Sequence, residues 1–576
     1  MKKLKKFIWI LLAAVMITVG TACTENPTPG PGPGEGTGTV KSGTINIFLP
    51  IDTDTSNALR AVGNAYTKMM GQKGIKVQVK IRASEDPNGY STAITGLLQN
   101  PENQEGDIIQ ANVATQFYGT DKLVDFTPYL NQKNPYEEDK IWKSTLREDA
   151  YRMDGKSQKI YNLSMEGNAL VAFYNKAAFE EFGIEVPTDW ASFIAALDKF
   201  KENGYPYPLG LNFDNSTGGG LEGNNFNWVA SMYIDQYFRD MIDAAHSQEN
   251  DYSYISDLDE GWTFDQSDPL NDAQSQYTYN FTRVVNEYFK DGSKFNTKSA
   301  RYADLMANMK KLASYASPQY SNSLVRQYFQ NDGLSWAEGG KVYEKNLRVG
   351  IYLLRLDTIV DYQKSLGGVL QKPNGVIPID ELSDMLGWFE LPPMPNNGGE
   401  GAPAADNLRT RGGPDHHPLG LVNRDADKTA LCIDFLKYLF STEGFDTYYN
   451  YYAQLGKVCA MQVYLKDYEL PEAVRISGNT EFDGDCSTNP YNLFATHYSE
   501  NNSIMADADE VQSLVNDQLR AYLTADAGES WTKYGEEIYR IMTQGFTNYA
   551  KWRGLKETSL SYYISDSVDF TTDPMS

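Results

Sequence analysis

The sequence predicts an α/β fold on three observations: a strand–helix–strand pattern where the folded body begins, a strand running straight into a capped helix near its middle, and amphipathic helices recurring toward its end. Residues 44–49 (TINIFL) read as a buried strand. Leu59, Val62, Tyr66, Met69 and Met70 then recur at helical spacing until Gly71 and Gly74 stop the helix, and 75–81 alternates as a second strand. One helix joining two strands over so short a stretch is a βαβ unit, almost always right-handed, which makes the strands parallel neighbours. Asp107-Ile-Ile supplies a third strand. Residues 169–174 form a strand that turns helical at Asn175-Lys176, with Gly183 where a C-cap glycine belongs. Pro187-Thr188 opens the next helix, Trp190, Phe193, Ile194, Leu197 and Phe200 mark its apolar face, and Gly204 closes it. Residues 240–330 are polar and Tyr-rich, and patterns such as Tyr302, Leu305, Met306 and Met309 mark inserted helical structure. The run LPPMP at 391–395 and the Gly/Asn/Ala stretch to 405 make an irregular crossing, after which Leu431, Phe435, Tyr438 and Leu439 give another amphipathic helix. Asp507 and Glu510 have capping-box spacing ahead of a last pattern, Val511, Leu514, Val515, Leu519, Tyr522 and Leu523.

The chain has 576 residues, enough for more than one domain, with 51 Lys+Arg against 76 Asp+Glu and a formal charge of −25. Such a balance repels phosphate backbones and anionic lipid, which excludes nucleic acid as a partner. Four His and four Cys form no metal-ligand spacing, so neither a metal nor another cofactor is expected. The opening residues put four lysines ahead of an apolar run from Phe7 to Val19 and end in Gly20-Thr-Ala22, the pattern of a secretory signal peptide. That run is too short to span a bilayer, which takes about 20 apolar residues. Cys23 then stands where bacterial lipoproteins carry the acylated cysteine, although Gly20 holds the place usually taken by Leu; ordinary cleavage and free secretion is the alternative. Residues 24–43 carry Pro27, Pro29, Pro31, Pro33 and six glycines, a linker that at about 3.1 Å per residue reaches roughly 60 Å. With Cys23 acylated, Cys432, Cys459 and Cys486 remain, enough for at most one disulfide, with buried thiols as the alternative.

Residues 168–205, NALVAFYNKAAFEEFGIEVPTDWASFIAALDKFKENGY, resemble the family 1 extracellular solute-binding proteins of ABC importers, the group that includes maltodextrin-binding proteins. The Tyr-Asn-Lys strand end and the Pro-x-x-Trp helix carry the likeness, and further matches follow in order: GDII at 106–109, FTPYL at 126–130, LPPMP at 391–395, RGGP at 411–414, the helix 430–438 with STEG at 441–444, and LGKV at 455–458 as a return strand. The resemblance implies a two-domain, type II periplasmic-binding-protein-like fold with a hinge and an interdomain cleft. On that reading 1–22 is the signal peptide and 23–43 the anchor and linker; 44–165 with 393–458 form the N-terminal lobe, and 166–392 with 459–576 form a C-terminal lobe with helical insertions. Crossings fall near Met165, Pro392 and Cys459. The implied role is capture of an oligosaccharide and its delivery to ABC permease subunits by a monomeric, lipid-anchored, extracytoplasmic binder without catalytic activity. Two alternatives stand beside it: a surface glycan-binding protein that has no permease, and a secreted glycoside hydrolase working with two carboxylates.

A sugar offers an apolar C–H face and a rim of hydroxyls, so its site needs aromatic plates beside carboxylates and amides. The segment from Glu222 through Phe226 to Trp228 supplies both, and the resemblance implies an acid and stacking aromatics there; core packing of Trp228 is the plainer alternative. Trp336 and Trp388 are candidates on the same terms, each with core packing as its alternative. Asn168 matches a cleft position where maltodextrin binders have Glu, and Glu166 nearby is a possible substitute. Asp52 and Asp54 follow the first strand, and Asn112, Thr115 and Gln116 follow the third; loops after parallel strands line such crevices, although Asp in loops more often caps turns. Arg411 beside two glycines offers a forked donor, or is an ordinary surface Arg.

Overall fold

The structure is a computed structural model that describes residues 40–50, 53–84, 89–100, 102–147, 150–154, 159–167, 169–212, 225–265, 277–372, 375–395, 408, 418–459, 462–475 and 509–575. The signal peptide, Cys23, nearly all of the linker and Cys486 lie outside the described residues. The fold is α/β with two main sheets.

The first sheet has six strands in the order β2-β1-β3-β11-β5-β4: β1 Gly43–Leu49, β2 Val77–Ala83, β3 Ile108–Gln110, β4 Tyr151–Asp154, β5 Lys159–Leu163 and β11 Leu419–Leu421. β1 pairs in parallel with both β2 and β3, as the βαβ pattern predicts, while β11 runs antiparallel to β3 and β5. Alternation along β1 sends Ile45, Ile47 and Leu49 to one face and Phe48 to the other, and both faces are covered. The Thr53–Gln72, Ala426–Leu439 and Thr442–Gln454 helices pack over the first face, and the Tyr90–Gln99 helix with Tyr90, Ile94 and Leu97 covers the second. Gly63 lets the Thr53–Gln72 helix lie close on β2, since a Cβ there would stand 2.9 Å from Val79.

The second sheet has the order β10-β7-β9-β8, with β7 Leu170–Asn175, β8 Leu209–Gly210, β9 Ile351–Arg355 and β10 Leu386–Glu390. All six β7 residues are buried, as its continuous apolar run requires. The Asn175 side chain caps the Lys176–Phe182 helix by accepting from the backbone N–H groups of Ala177 and Ala178, and Gly183 ends it with φ +61°. In the Trp190–Glu202 helix Asp189 and Ser192 form a capping box one residue beyond the Pro-Thr start read from sequence.

The stretch read as inserted helices is helical: Phe281–Phe289, Ala300–Ala313 and Asn322–Ala337 join one core with the terminal Asp509–Leu523 and Thr532–Arg553 helices. Trp531 locks the two sources together, stacking on Tyr302 at 5.4 Å and donating from Nε1 to the Thr297 carbonyl at 2.7 Å.

Two expectations from sequence change. Residues 455–458 form no strand: the Thr442–Gln454 helix ends there, Gly456 takes φ +66°, and the short strand β12 comes later, at Gln462–Val463. Cys459 and residues 462–475, expected in the C-terminal lobe, pack on the first core through Cys459, Tyr464, Leu465, Leu470 and Val474. Backbone hydrogen bonds hold them there, Arg147 N–H to Tyr464 O at 2.9 Å and Lys466 N–H to Thr145 O at 2.8 Å. Cys432 and Cys459 are both buried, and burial pushes the Cys432 thiol far above its ordinary value.

Candidate functional site

The chain passes from β5 in the first sheet to β7 in the second through β6, Glu166–Gly167, which pairs antiparallel with β12 in a separate two-stranded ribbon. This ribbon links the lobes. Tyr464 N–H donates to Met165 O at 2.8 Å. Its packing leaves no room for a side chain at Gly167, where a Cβ would stand 1.7 Å from the Tyr464 hydroxyl. Glu166 is 4% exposed, and its Oε2 accepts from the Tyr449 hydroxyl at 2.8 Å with Cys459 Sγ at 3.6 Å. Burial and this carboxylate raise the Tyr449 phenol well above its ordinary value, so it stays a donor. The structure thus gives Glu166 a place inside the crossing.

Loops that follow the carboxyl ends of parallel strands are where an α/β sheet meets ligands. β3 turns at once into a short 3₁₀ helix, Ala111–Phe117, carrying the sequence candidates Asn112, Thr115 and Gln116. Gln116 Nε2 donates to Thr95 Oγ1 at 3.0 Å, in an exposed contact. Asn112 is half-buried, and its Oδ1 is shielded from solvent and meets no hydrogen-bond donor among the described residues. The sequence reading missed Tyr118, which follows directly. Half-buried, it stacks on Tyr161 at 4.8 Å and accepts from Asn162 Nδ2 at 3.2 Å. The signal was available: an aromatic six residues beyond Asn112 in the same post-strand segment.

The second-lobe candidates occupy different surroundings. Phe226, 6% exposed, belongs to the second core. Trp228 lies on the Asn225–Phe238 helix, its side chain outside the described residues. Trp336 is half-buried at the end of the Asn322–Ala337 helix, edge-on to Phe182 at 5.6 Å with the Arg348 guanidinium 5.5 Å from its ring. Next to it Asp332, fully buried, accepts from the Tyr205 hydroxyl at 2.6 Å, and burial pushes its carboxyl up to about 7. Trp388 stands on β10 opposite Phe173 and packs partly against the second core. Asp52, Asn168, Glu222 and Arg411 lie outside the described residues. Among the described residues no group of three or more His, Cys, Asp or Glu side chains could hold a metal ion, and no helix is long and apolar enough to cross a membrane.

Comparison with solved structures finds the solute receptor AcbH, reported to prefer β-D-galactopyranose (12% identity, TM-score 0.49, covering 88% of this chain and 98% of the other). It also finds a family 1 extracellular solute-binding protein from Bifidobacterium longum subsp. infantis (14%, 0.47, 88% and 100%) and apo RafE from Streptococcus pneumoniae (15%, 0.43, 87% and 98%). No curated protein matches the sequence. Residues 61–332, which begin in the Thr53–Gln72 helix and end in the Asn322–Ala337 helix, match the family model described as bacterial extracellular solute-binding protein.

Proposed function

We propose that the protein is a lipid-anchored receptor that captures a carbohydrate, an oligosaccharide, between its lobes and hands it to an ABC permease. The observation that carries the reading is the family match across residues 61–332, which supports binding of a solute outside the cytoplasm. The two sheets joined through the β6–β12 ribbon fit a hinge that closes over ligand. The carbohydrate class is supported by the chemistry of the candidate residues: Trp228, Trp336 and Trp388 as plates, Asn168, Asn112, Gln116, Glu222 and Asp52 as partners for hydroxyls, and Arg411 as a forked donor. Tyr118 and Asn162 join this set from the first lobe. The lipobox-like Cys23 and the Pro/Gly linker support the anchor, which leaves the folded body free above the membrane as a monomer.

A thermal-shift screen of the body from Lys41 onward against mono- and oligosaccharides, with peptides and acidic sugars as controls, tests the reading. Ligand at 100 times its dissociation constant stabilises by about 2.7 kcal/mol, a visible rise in melting temperature. A rise with one sugar class and intact sugar on chromatography is expected. A rise with peptides alone overturns the ligand class, and cleaved sugar turns the binder into a hydrolase.

A further inference from the structure

The passage between the lobes carries charge as well as backbone. Asp54 sits in the first turn of the Thr53–Gln72 helix, whose apolar residues Ala58, Leu59 and Val62 belong to the first core. Lys457, 13% exposed, pairs with Asp54 Oδ2 from the segment that leaves the Thr442–Gln454 helix. Lys364 reaches the same oxygen at 3.6 Å from the Ile359–Val369 helix, whose Ile359, Tyr362 and Leu366 belong to the second core. Thr55 Oγ1 lies 3.4 Å from the Tyr452 hydroxyl, so the helix end that carries Asp54 is tied to the first lobe. One first-lobe carboxylate therefore faces two ammonium groups, and the second lobe brings one of them.

We propose that Asp54 is an electrostatic fastener that sets how far the two lobes stand apart. Its carboxylate neutralises Lys457 and so admits Lys364; without it two cations face each other and push the lobes open. Because Lys364 is 50% and Asp54 27% exposed, the Lys364 contact is worth about a two- to fivefold change in the ratio of closed to open molecules, and salt weakens it. The inference rests on the two-lobed fold and not on which solute is bound.

The test reads inter-lobe distance by single-molecule energy transfer on the full mature chain, one dye on each lobe, without ligand, at low and high salt. At low salt K364M moves the population two- to fivefold toward the open form. Asp54→Asn moves it further, because Lys457 and Lys364 then repel. Adding K364M to D54N moves it back toward closed, since one of the facing cations is gone; this reversal is the signature of the fastener. High salt shrinks all three differences. Unchanged populations in K364M and D54N, or a double variant that sums the two single effects, overturn the proposal. Lys364 is half exposed, so K364M keeps the fold and its arm stands alone should D54N be unstable. A failure here leaves the sugar screen untouched, and a silent screen leaves this result standing.

Discussion

The two lobes bury different chemistry. The first core is built largely from aliphatic and aromatic side chains drawn from two stretches, 45–165 and 419–474, with Asp107 as a buried acid compensated by the Asn46 N–H at 2.8 Å, Lys428 at 3.2 Å and Arg424 at 3.5 Å. The second core buries Arg239, Arg301 and Arg348, each 1% exposed, and Asp235 and Asp332, each 0%. Its helices are stitched by side chains reaching far along the chain: the Tyr233 hydroxyl donates to Pro392 O at 3.0 Å, and Gln236 exchanges two hydrogen bonds with the backbone of Met394, at 2.9 and 3.1 Å. An apolar face accepts many neighbours, whereas a buried guanidinium accepts only one that offers oxygen acceptors. Buried polar contacts in the second lobe thus fix which inserted helix lies against which, and they hold the irregular 391–395 segment in place.

The sharpest way to break this comparison is Arg301→Ala. Arg301 Nη1 donates to Asp240 Oδ1 at 2.7 Å and to Tyr237 O at 3.1 Å, so its loss strips a partner from Asp240 and is expected to cost about 3–5 kcal/mol in urea unfolding. Hydrogen exchange should show lost protection in the second core alone; equal loss in the first would mean that the lobes unfold as one unit. Next in size, Tyr449→Phe removes a donor from buried Glu166, an expected loss of about 1–3 kcal/mol. An unchanged midpoint would show that the ribbon lies outside the cooperative core.

A pH titration sharpens the contrast. The Asp332 carboxyl is raised to about 7 in the fold, so the native state holds its proton more tightly than the unfolded chain does. Its contribution to stability is therefore greatest below the ordinary carboxyl range and declines as pH rises from about 4 to about 7. D332N, which keeps an acceptor for Tyr205, should flatten that slope in melting temperature measured across this window; an unchanged slope would assign it elsewhere. The smallest expected effect is Gln116→Ala, within about 0.5 kcal/mol of wild type because its bond to Thr95 is exposed. If Gln116 meets ligand, affinity for the sugar found in the screen falls while stability holds, and unchanged affinity removes it from the site.

Much of the first lobe was legible because its information is local. The run TINIFL, the helix that follows and the alternation after it produce the parallel β1–β2 pair. The site was less legible. Phe226 and Trp336 read as aromatics beside polar residues, but linear order does not tell which face of a helix meets the core; Phe226 is buried in the second core and Trp336 abuts Arg348. Tyr118 escaped notice for the complementary reason, since its partners Tyr161 and Asn162 are more than 40 residues away.

By itself the sequence determined the caps and the strand–helix junctions: Asn175 and Gly183 bracket one helix, and Asp189 with Ser192 opens the next, because such contacts span only a few residues. It also carried the resemblance to solute-binding proteins, through motifs in the same strands and helices. Tertiary structure decided that the short strand after Gly456 is 462–463, that Cys459 and 462–475 join the first core, and that Glu166 turns toward Tyr449. The physical reason is the same each time. Strand 462–463 exists only where Glu166 and Gly167 offer it a hydrogen-bonding edge, and Glu166 is held by a hydroxyl 283 residues distant; such pairings depend on how the folded elements meet, which no local pattern encodes.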